Sequence, residues 1–485
     1  MRGRDAMKKN VLRLLAVLCP ALLPACAPAT PDARGAPDAP DDAVAQTVPA
    51  ALSVADGQAL FERAFPHTNG RSCATCHVLA EHGTLVPASV QARLARDSED
   101  PLFNRIDADD PAAPVPTYEH LQQGLVRVVL PLPDNMDLID VQGNVVTPAD
   151  RKIAVWRGVP SIENTAATGP YQYDGRAGTL QEQAQSAIIA HSEGREVGRR
   201  QLEQIARFQR GLFSSVRAQF VAALVDFGIP DAQIPVPERY LALSPDEQAG
   251  REVYRAACEG CHGGARTSTV VNRAVHDVLF FSPGPDGNLR YVAAGGHQVP
   301  VLAPHPDDEF LNVGFAFLSY LGQFAHFPGL FNASVELPRY RFRFYSDATR
   351  QQQVTDLPPI PVTRSGDPSD LRAAIDASGA LVAGPNFSPQ WFSTDPGRAL
   401  ISGDPADFEA FDVPQLRGVA HTAPYMHDNS LATLADVVDI YSRFVLPNLP
   451  PLRLPPVNPP ELPHGPPESL SPVQKHQLLA FLQRL

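Results

Sequence analysis

Cys73-Ala74-Thr75-Cys76-His77 and Cys258-Glu259-Gly260-Cys261-His262 are the two stretches on which the reading of this chain turns. Each sets two thiols three positions apart and follows the second directly with an imidazole. Thiols at that spacing can form thioethers to the two vinyl groups of one haem, and the adjacent histidine then reaches the iron from the proximal side. The Cys and His content of the chain gives about 0.002 such matches by chance. A Cys-x-x-Cys redox pair or a zinc site is the alternative. Recurrence of the whole pattern, each time after a helix start, favours two covalently bound haems.

Working outward, Ser53 caps a helix with an apolar stripe through Leu60, Phe61 and Phe65. Ser244 caps a second, with Pro245 at its first position and Asp246 and Glu247 in its first turn. Gly57 and Phe61 before the first motif match Gly250 and Tyr254 before the second, a weak internal duplication. Pro230, Pro235 and Pro237 interrupt helical patterning between Gly228 and Leu243. The expected domains are therefore 53–240 and 241–485, each built around one motif. Residues 124–156 alternate apolar and polar, with turns at Pro133-Asp134-Asn135 and Gly143-Asn144, and read as a β-hairpin excursion. Residues 265–410 read as a long, Pro-rich, irregular insertion with short helices such as Asp308–Phe327. Ten prolines between Pro447 and Pro467 make an extended segment before a last helix opened by Ser471-Pro472. The fold class expected is mainly α, two cytochrome c-like haem domains with a hairpin excursion and long Pro-rich loops.

The 485 residues are 44% hydrophobic and 19% charged, which excludes wholesale disorder. A net charge of −13 argues against a nucleic-acid partner. Fifty prolines, one residue in ten, imply plentiful loops. Two of the six cysteines, Cys19 and Cys26, lie in a segment with Lys8, Lys9 and Arg13 followed by an apolar run from Val11 to Ala25. Residues 1–25 read as a signal peptide. Leu23-Pro24-Ala25-Cys26 resembles a bacterial lipobox, so Cys26 is the expected lipidation site, with simple cleavage nearby as the alternative. Residues 26–52 then form a flexible tether, and the expected location is the periplasm, membrane-anchored through Cys26. The four remaining cysteines are those of the two motifs, which leaves none for disulfides.

Further motifs carry a family likeness. Trp156-Arg157-Gly158-Val159-Pro160-Ser161 leads to Tyr173-Asp174-Gly175-Arg176 and Leu180-Gln181-Glu182-Gln183-Ala184. Phe411-Asp412-Val413-Pro414-Gln415-Leu416-Arg417-Gly418-Val419 is followed by Thr422-Ala423-Pro424-Tyr425-Met426-His427-Asp428-Asn429. With the two haem motifs, these resemble the bacterial di-haem cytochrome c peroxidase/MauG superfamily over residues 53–262 and 400–485. The resemblance implies that the N-terminal haem binds hydrogen peroxide and the C-terminal haem relays electrons. It puts Gln183 and Glu193 beside the peroxidatic iron, where a carboxylate can take and return a proton. It implies Tyr441, fourteen residues after His427, as the sixth ligand of the second haem, with Met426 as the rival. Thr433 and Asp436 form a capping pair that sets Leu434, Val437, Val438 and Tyr441 on one helical face. Only Met136 and Met426 lie beyond the signal segment, which argues against two His/Met electron carriers.

The chain also departs from the family pattern. Arg93 stands near the position of a displaceable histidine on the first haem, and His82 lies too close to His77 to cross the haem plane. The first haem is therefore expected to be open to peroxide. His191 reads as a surface or capping residue. Tyr173 replaces the family's inter-haem tryptophan and becomes the expected electron relay, which needs an acceptor for its phenolic proton. Gly158 replaces an asparagine that helps hold calcium together with carbonyls matching Thr422 and Pro424, so calcium is expected to bind weakly or not at all. The expected activity is an exported di-haem peroxidase drawing electrons from a small cytochrome, a cupredoxin or another donor. A MauG-like oxidase acting on a protein or organic substrate, and a non-catalytic di-haem electron carrier, are the alternatives.

Overall fold

The computed structural model describes residues 54–271, 290–294, 297–301, 310–313, 335–358, 374–375, 381–382, 392–446 and 469–485. The chain divides into Met1–Ala51 and a compact unit, Leu52–Leu485, to which all of these belong. The signal segment, Cys26, the tether, the Ser53 cap and the Pro447–Pro467 stretch lie outside the described residues. The unit is mostly helical. The helices used below are α1 (Val54–Glu62), α2 (Cys73–Cys76), α3 (Pro87–Arg96), α4 (Leu180–His191), α5 (Arg199–Arg210), α6 (Val216–Asp226), α7 (Pro245–Ala257), α8 (Leu434–Ile440) and α9 (Pro472–Leu482).

The two helices that lead into the Cys-x-x-Cys-His motifs are built alike. In α1, a Cβ on Gly57 would lie 2.1 Å from the Gln204 carbonyl oxygen and 2.9 Å from Phe208 Cβ of α5. In α7, a Cβ on Gly250 would lie 1.8 Å from the Gln477 carbonyl oxygen and 3.0 Å from Phe481 Cβ of α9. Glycine lowers intrinsic helix stability by about 1 kcal/mol, yet at both crossings it lets the two backbones touch. One turn later Phe61 meets Phe208 at 5.2 Å and Tyr254 meets Phe481 at 5.3 Å. The α7 start carries the expected cap: the Ser244 amide donates to Glu247 Oε2 at 2.7 Å and the Glu247 amide to Ser244 Oγ at 3.3 Å.

A longer repeat follows each motif. Val159-Pro160 corresponds to Val413-Pro414, Thr168-Gly169-Pro170-Tyr171 to Thr422-Ala423-Pro424-Tyr425, and Thr179-Leu180 to Thr433-Leu434, without a gap. The backbone repeats too. Asn164 (φ 65°) matches Gly418 (81°), Gln172 (76°) matches Met426 (74°), and Gly175 (64°) matches Asn429 (55°), all left-handed. The Tyr171 phenol donates to the Thr165 carbonyl at 3.0 Å and the Tyr425 phenol to the Val419 carbonyl at 2.8 Å. Thr179 with Glu182 caps α4 as Thr433 with Asp436 caps α8.

The β structure is more than a hairpin. Strands β1 (Leu125–Pro131) and β3 (Lys152–Gly158) pair antiparallel, from Leu125 opposite Gly158 to Pro131 opposite Lys152. Between them β2 (Met136–Leu138) leaves to pair with β5 (Phe342–Tyr345), which also pairs with β6 (Gln353–Leu357). Fully buried Met136, Phe342, Phe344 and Phe408 fill the space between these layers. The part of 265–410 that is described therefore supplies strands to the N-terminal half. Helix was expected at Asp308–Phe327, but Phe310–Leu311 is a strand, β4, paired with β7 (Phe411–Asp412). The β7 edge and the burial of Leu311 against Val413 override the local helical pattern. Most of that stretch lies outside the described residues.

Buried ion pairs join the sequence-distant parts. Arg157 reaches Asp395 at 2.6 and 3.0 Å and Asp174 at 2.5 Å, while Arg176 reaches Asp174 at 2.7 and 2.9 Å. Burial alone would raise the Asp174 carboxyl, but the guanidinium groups of Arg157 and Arg176 outweigh it and hold it below its usual range. Arg417 forms a two-pronged pair with Glu238, both contacts at 2.7 Å.

Candidate functional site

His77 and His262 line one cavity of about 770 Å³ at the meeting point of the two repeats. His77 Nδ1 lies 2.8 Å from the Gly83 carbonyl, and the Pro160 carbonyl also acts on the ring. His262 Nδ1 lies 3.0 Å from the Pro414 carbonyl, so equivalent prolines of the two repeats face the two rings. A carbonyl can only accept, so Nδ1 carries the proton and Nε2 keeps its lone pair, the form that ligates a metal. Burial lowers both rings, His262 to about 4. The Tyr254 phenol donates to the His262 carbonyl and fixes the second motif to α7.

All four motif cysteines are free thiols. Burial pushes Cys73 and Cys258 up to about 12 and Cys76 and Cys261 up to about 11. A redox Cys-x-x-Cys pair needs a lowered thiol, so the surroundings oppose that alternative. Among the described residues no group of three or more His, Cys, Asp or Glu side chains gathers to hold a metal ion.

The first motif is pinned from both sides. Buried Arg71 pairs with Asp107 at 2.5 Å and donates to the Pro101 carbonyl at 2.9 Å, while Asp107 accepts from the Arg127 amide at 2.6 Å. On α3, Arg93 makes a two-pronged pair with Asp100 at 2.6 and 3.0 Å and donates to the Thr75 carbonyl at 2.7 Å. Its guanidinium thus braces the motif backbone. His82 does not line the cavity; it is stacked on His421 at 5.0 Å and lies 3.2 Å from Glu163.

Of the other sequence candidates, the cavity brings together Gln183, Tyr173, Met426 and Tyr441 with both histidines. Leu434, Val437, Val438 and Tyr441 all line it, so α8 presents the face its periodicity implied. Tyr441 begins a π-helical turn, Tyr441–Val445, and packs in one apolar cluster with Met426, Leu431 and Ile440. Burial, together with the neighbouring Cys261 and Cys258, raises its phenol well above the ordinary value. Tyr173 is raised by burial as well, offset in part by Arg157. Met136 is fully buried in the β core, away from the cavity.

Glu193 does not line the cavity. It follows α4 with left-handed backbone (φ 51°), its side chain exposed, and Oε2 accepts from Asn69 Nδ2 at 3.2 Å. Asn69 ties the whole 191–193 turn, its amide donating to the Ser192 carbonyl at 2.9 Å and Nδ2 to the His191 carbonyl at 3.1 Å. His191, expected at the surface, is instead half-buried. Burial lowers its ring, which feels Asp107 and Arg71 and whose charge in turn affects His77. The α4 C-terminus turns it inward against the Arg71–Asp107 pair.

The space at Gly158 is taken. A Cβ there would lie 2.3 Å from Asn429 Oδ1, and Asn429 Nδ2 donates to the Gln123 carbonyl at 3.0 Å. The Gly158 amide donates to the His427 carbonyl at 2.7 Å. An asparagine from the repeat thus fills the position that Gly158 vacates.

Three features escaped the sequence reading. The 159–191/413–445 repeat was visible as Val-Pro and Thr-x-Pro-Tyr at equal spacing. Glu409, buried and lining the cavity, with no ion pair among the described residues, carried no local signal. The orphaned Nε2 of buried His427, whose ring stacks on Phe411 at 4.2 Å, appears only once the chain is folded.

No protein-family model matches the sequence. Over 50 residues the chain is 52% identical to cytochrome-c peroxidase IdrP2 of Denitromonas iodatirespirans, a match covering 10% of this chain and 14% of that protein. Two solved structures align along most of their length. A MauG-like protein associated with microbial copper homeostasis is 18% identical, with 90% of each chain covered and a TM-score of 0.37. The diheme peroxidase BthA from Burkholderia thailandensis E264 is 15% identical, with 89% of this chain and 84% of that chain covered and a TM-score of 0.32. At those TM-scores neither decides the fold. On its motifs and on the stretch shared with cytochrome-c peroxidase IdrP2, the chain is similar to the bacterial di-haem cytochrome c peroxidase/MauG superfamily.

Proposed function

We propose that the chain is a di-haem c-type peroxidase that reduces hydrogen peroxide. The observation that carries this reading is the shared cavity, where His77 and His262, each with Nδ1 held by a carbonyl, offer two bare Nε2 atoms. The donor set suits haem: Cys258, Cys261 and both histidines line the cavity, and the free thiols of Cys73 and Cys76 immediately precede His77. Cys73, Cys76 and His77 would hold one haem, and Cys258, Cys261 and His262 the other. When bound, the haems supply two redox-active irons, one to receive peroxide and one to accept electrons from outside.

The chain's own residues would do the rest. Gln183 orients peroxide by hydrogen bonding in the cavity. Glu193, exposed and held by Asn69 outside the cavity, would have to leave that partner and turn towards Gln183 to take a proton from peroxide and return it to the departing oxygen. Hydrogen peroxide accepts two electrons and two protons and leaves as two waters, the electrons coming from an external donor such as a small cytochrome or a cupredoxin. Tyr441 offers its phenol to the second iron, with Met426 as the rival. The repeat adds a reason for an open first site, because the residue matching Tyr441 is Ala187, whose methyl cannot ligate. Tyr173 relays electrons between the two sites. Export through residues 1–25 and lipid attachment at Cys26 belong to the same proposal and put the enzyme in the periplasm. No helix among the described residues is long and apolar enough to cross a membrane.

The test is electron paramagnetic resonance of the ferric protein before and after hydrogen peroxide. A high-spin signal that peroxide removes supports the reading. Two unreactive low-spin signals would return the carrier alternative. Peroxide reactivity with turnover only on a protein or organic substrate would return the oxidase.

A further inference from the structure

Glu409 stands just before β7 in left-handed backbone (φ 55°), with its amide donating to the Pro396 carbonyl at 2.9 Å. The residue is 1% exposed and lines the cavity, and among the described residues its carboxylate forms no ion pair and has only the Ser393 hydroxyl close enough to act on it as a donor. The Thr394 hydroxyl is buried and unpartnered among the described residues.

The charged groups around it are committed elsewhere. Asp395 accepts from Arg157 and from the Gly397 amide at 2.8 Å. Arg398 donates to the Asp174 carbonyl at 3.0 Å and lies 3.6 Å from Asp407. Asp174 is held by Arg157 and Arg176, while His427 is stacked on Phe411 with its Nε2 unpartnered. Among the described residues none is a counter-ion to Glu409. A buried, unpaired carboxylate is costly, so the group favours the neutral acid. Burial pushes it up to about 8, with the nearby Ser393 hydroxyl offsetting part and the Asp395 charge adding to it.

We propose that Glu409 is a redox-linked proton site of the cavity, taking up one proton when the cavity gains one electron and releasing it when the electron leaves. The proposal rests on the di-haem reading. A one-electron donor outside the protein gives up the electron, one iron goes from ferric to ferrous, and an O–H bond forms on the Glu409 carboxylate with a proton drawn from water. The charge of the cavity is then unchanged. A ferric site carries the extra positive charge that favours carboxylate, and its reduction removes that charge, so reduction strengthens proton binding. Reduction potential should accordingly fall as pH rises through the range in which oxidised and reduced forms differ in protonation.

The test uses the full, haem-loaded chain. Reduction potentials of both haems are measured by spectroelectrochemistry from about pH 6 to about pH 9, bracketing a raised carboxyl, alongside reduced-minus-oxidised infrared spectra. For at least one haem, the native protein should show a slope approaching one proton per electron and a protonated-carboxyl band that shifts in deuterium oxide. Glu409→Gln should flatten the slope and remove the band, while Glu409→Asp should retain both. A native protein with two pH-independent potentials overturns the proposal without any variant. So does a slope and band unchanged in Glu409→Gln. A purified chain without haem bands overturns the di-haem reading itself, whereas intact haems and intact peroxide reactivity with no Glu409 effect sink this inference alone.

Discussion

Replacing Gly250 by alanine tests the packing that sets the second haem-binding motif. The new Cβ would lie 1.8 Å from the Gln477 carbonyl oxygen, against ordinary contacts of 3.4 Å or more, so α7 and α9 must separate by more than 1 Å. A gap of that order forfeits a large part of the contact energy along the interface. The side chains affected are Val253, Tyr254, Ala257, Leu478, Phe481 and Leu482, all buried there. Overpacking of this kind costs up to about 3 kcal/mol, while alanine regains about 1 kcal/mol of helix propensity. The expected net loss is about 2 kcal/mol. Equilibrium urea unfolding followed by circular dichroism reads it, with Gly57→Ala expected to behave alike because its Cβ meets Gln204 at 2.1 Å. Because α7 runs directly into Cys258, the absorption of the second haem should broaden as well. Unchanged or raised stability in Gly250→Ala would refute the backbone-to-backbone crossing, since propensity alone predicts a gain.

Other expectations follow from the same geometry. Tyr441→Phe should change the absorption and resonance signature of the second haem only, and an unchanged spectrum removes Tyr441 as a ligand. Ala187→Tyr, which copies Tyr441 into the first repeat, should convert the high-spin first haem to low spin and slow its reaction with peroxide; an unaltered high-spin signal would break the proposed equivalence. Arg157→Ala leaves buried Asp395 with no other guanidinium partner among the described residues and should cost about 3–5 kcal/mol in urea unfolding, so a loss under about 1 kcal/mol would show that the network contributes little. Asp174 is ionised below its usual range in the folded chain, so its contribution is present above the unfolded value of 3.8 and is lost as pH falls below it. A urea midpoint flat from neutral pH to well below 3.8 would contradict that assignment.

Much of the site was legible because its signals are short and local. Two Cys-x-x-Cys-His motifs and their helix caps depend on neighbours a few residues away, as do the Thr433–Asp436 cap and the inward face of α8. The same holds for the left-handed turns of the repeat, which lie beside the same Thr-x-Pro-Tyr spelling in both halves.

Other features depend on elements far apart in sequence. Between the two strands of the expected hairpin, β2 pairs with β5, where Met136, Phe342 and Phe344 are fully buried together. Arg93 could be placed near the first haem by register, but only folding shows it holding Asp100 and the Thr75 carbonyl. Likewise Glu193 is exposed and tied to Asn69, while His191 turns inward.

By itself, then, the sequence determined the two Cys-x-x-Cys-His motifs and the capped helices beside them, since motif spacing and capping are local matters. Tertiary structure alone decided that His77 and His262 open on one cavity and that Asn429 closes the space at Gly158. It alone left Glu409 without a counter-ion there. Burial and pairing are properties of surfaces brought together from distant parts of the chain, and no stretch of neighbours encodes them.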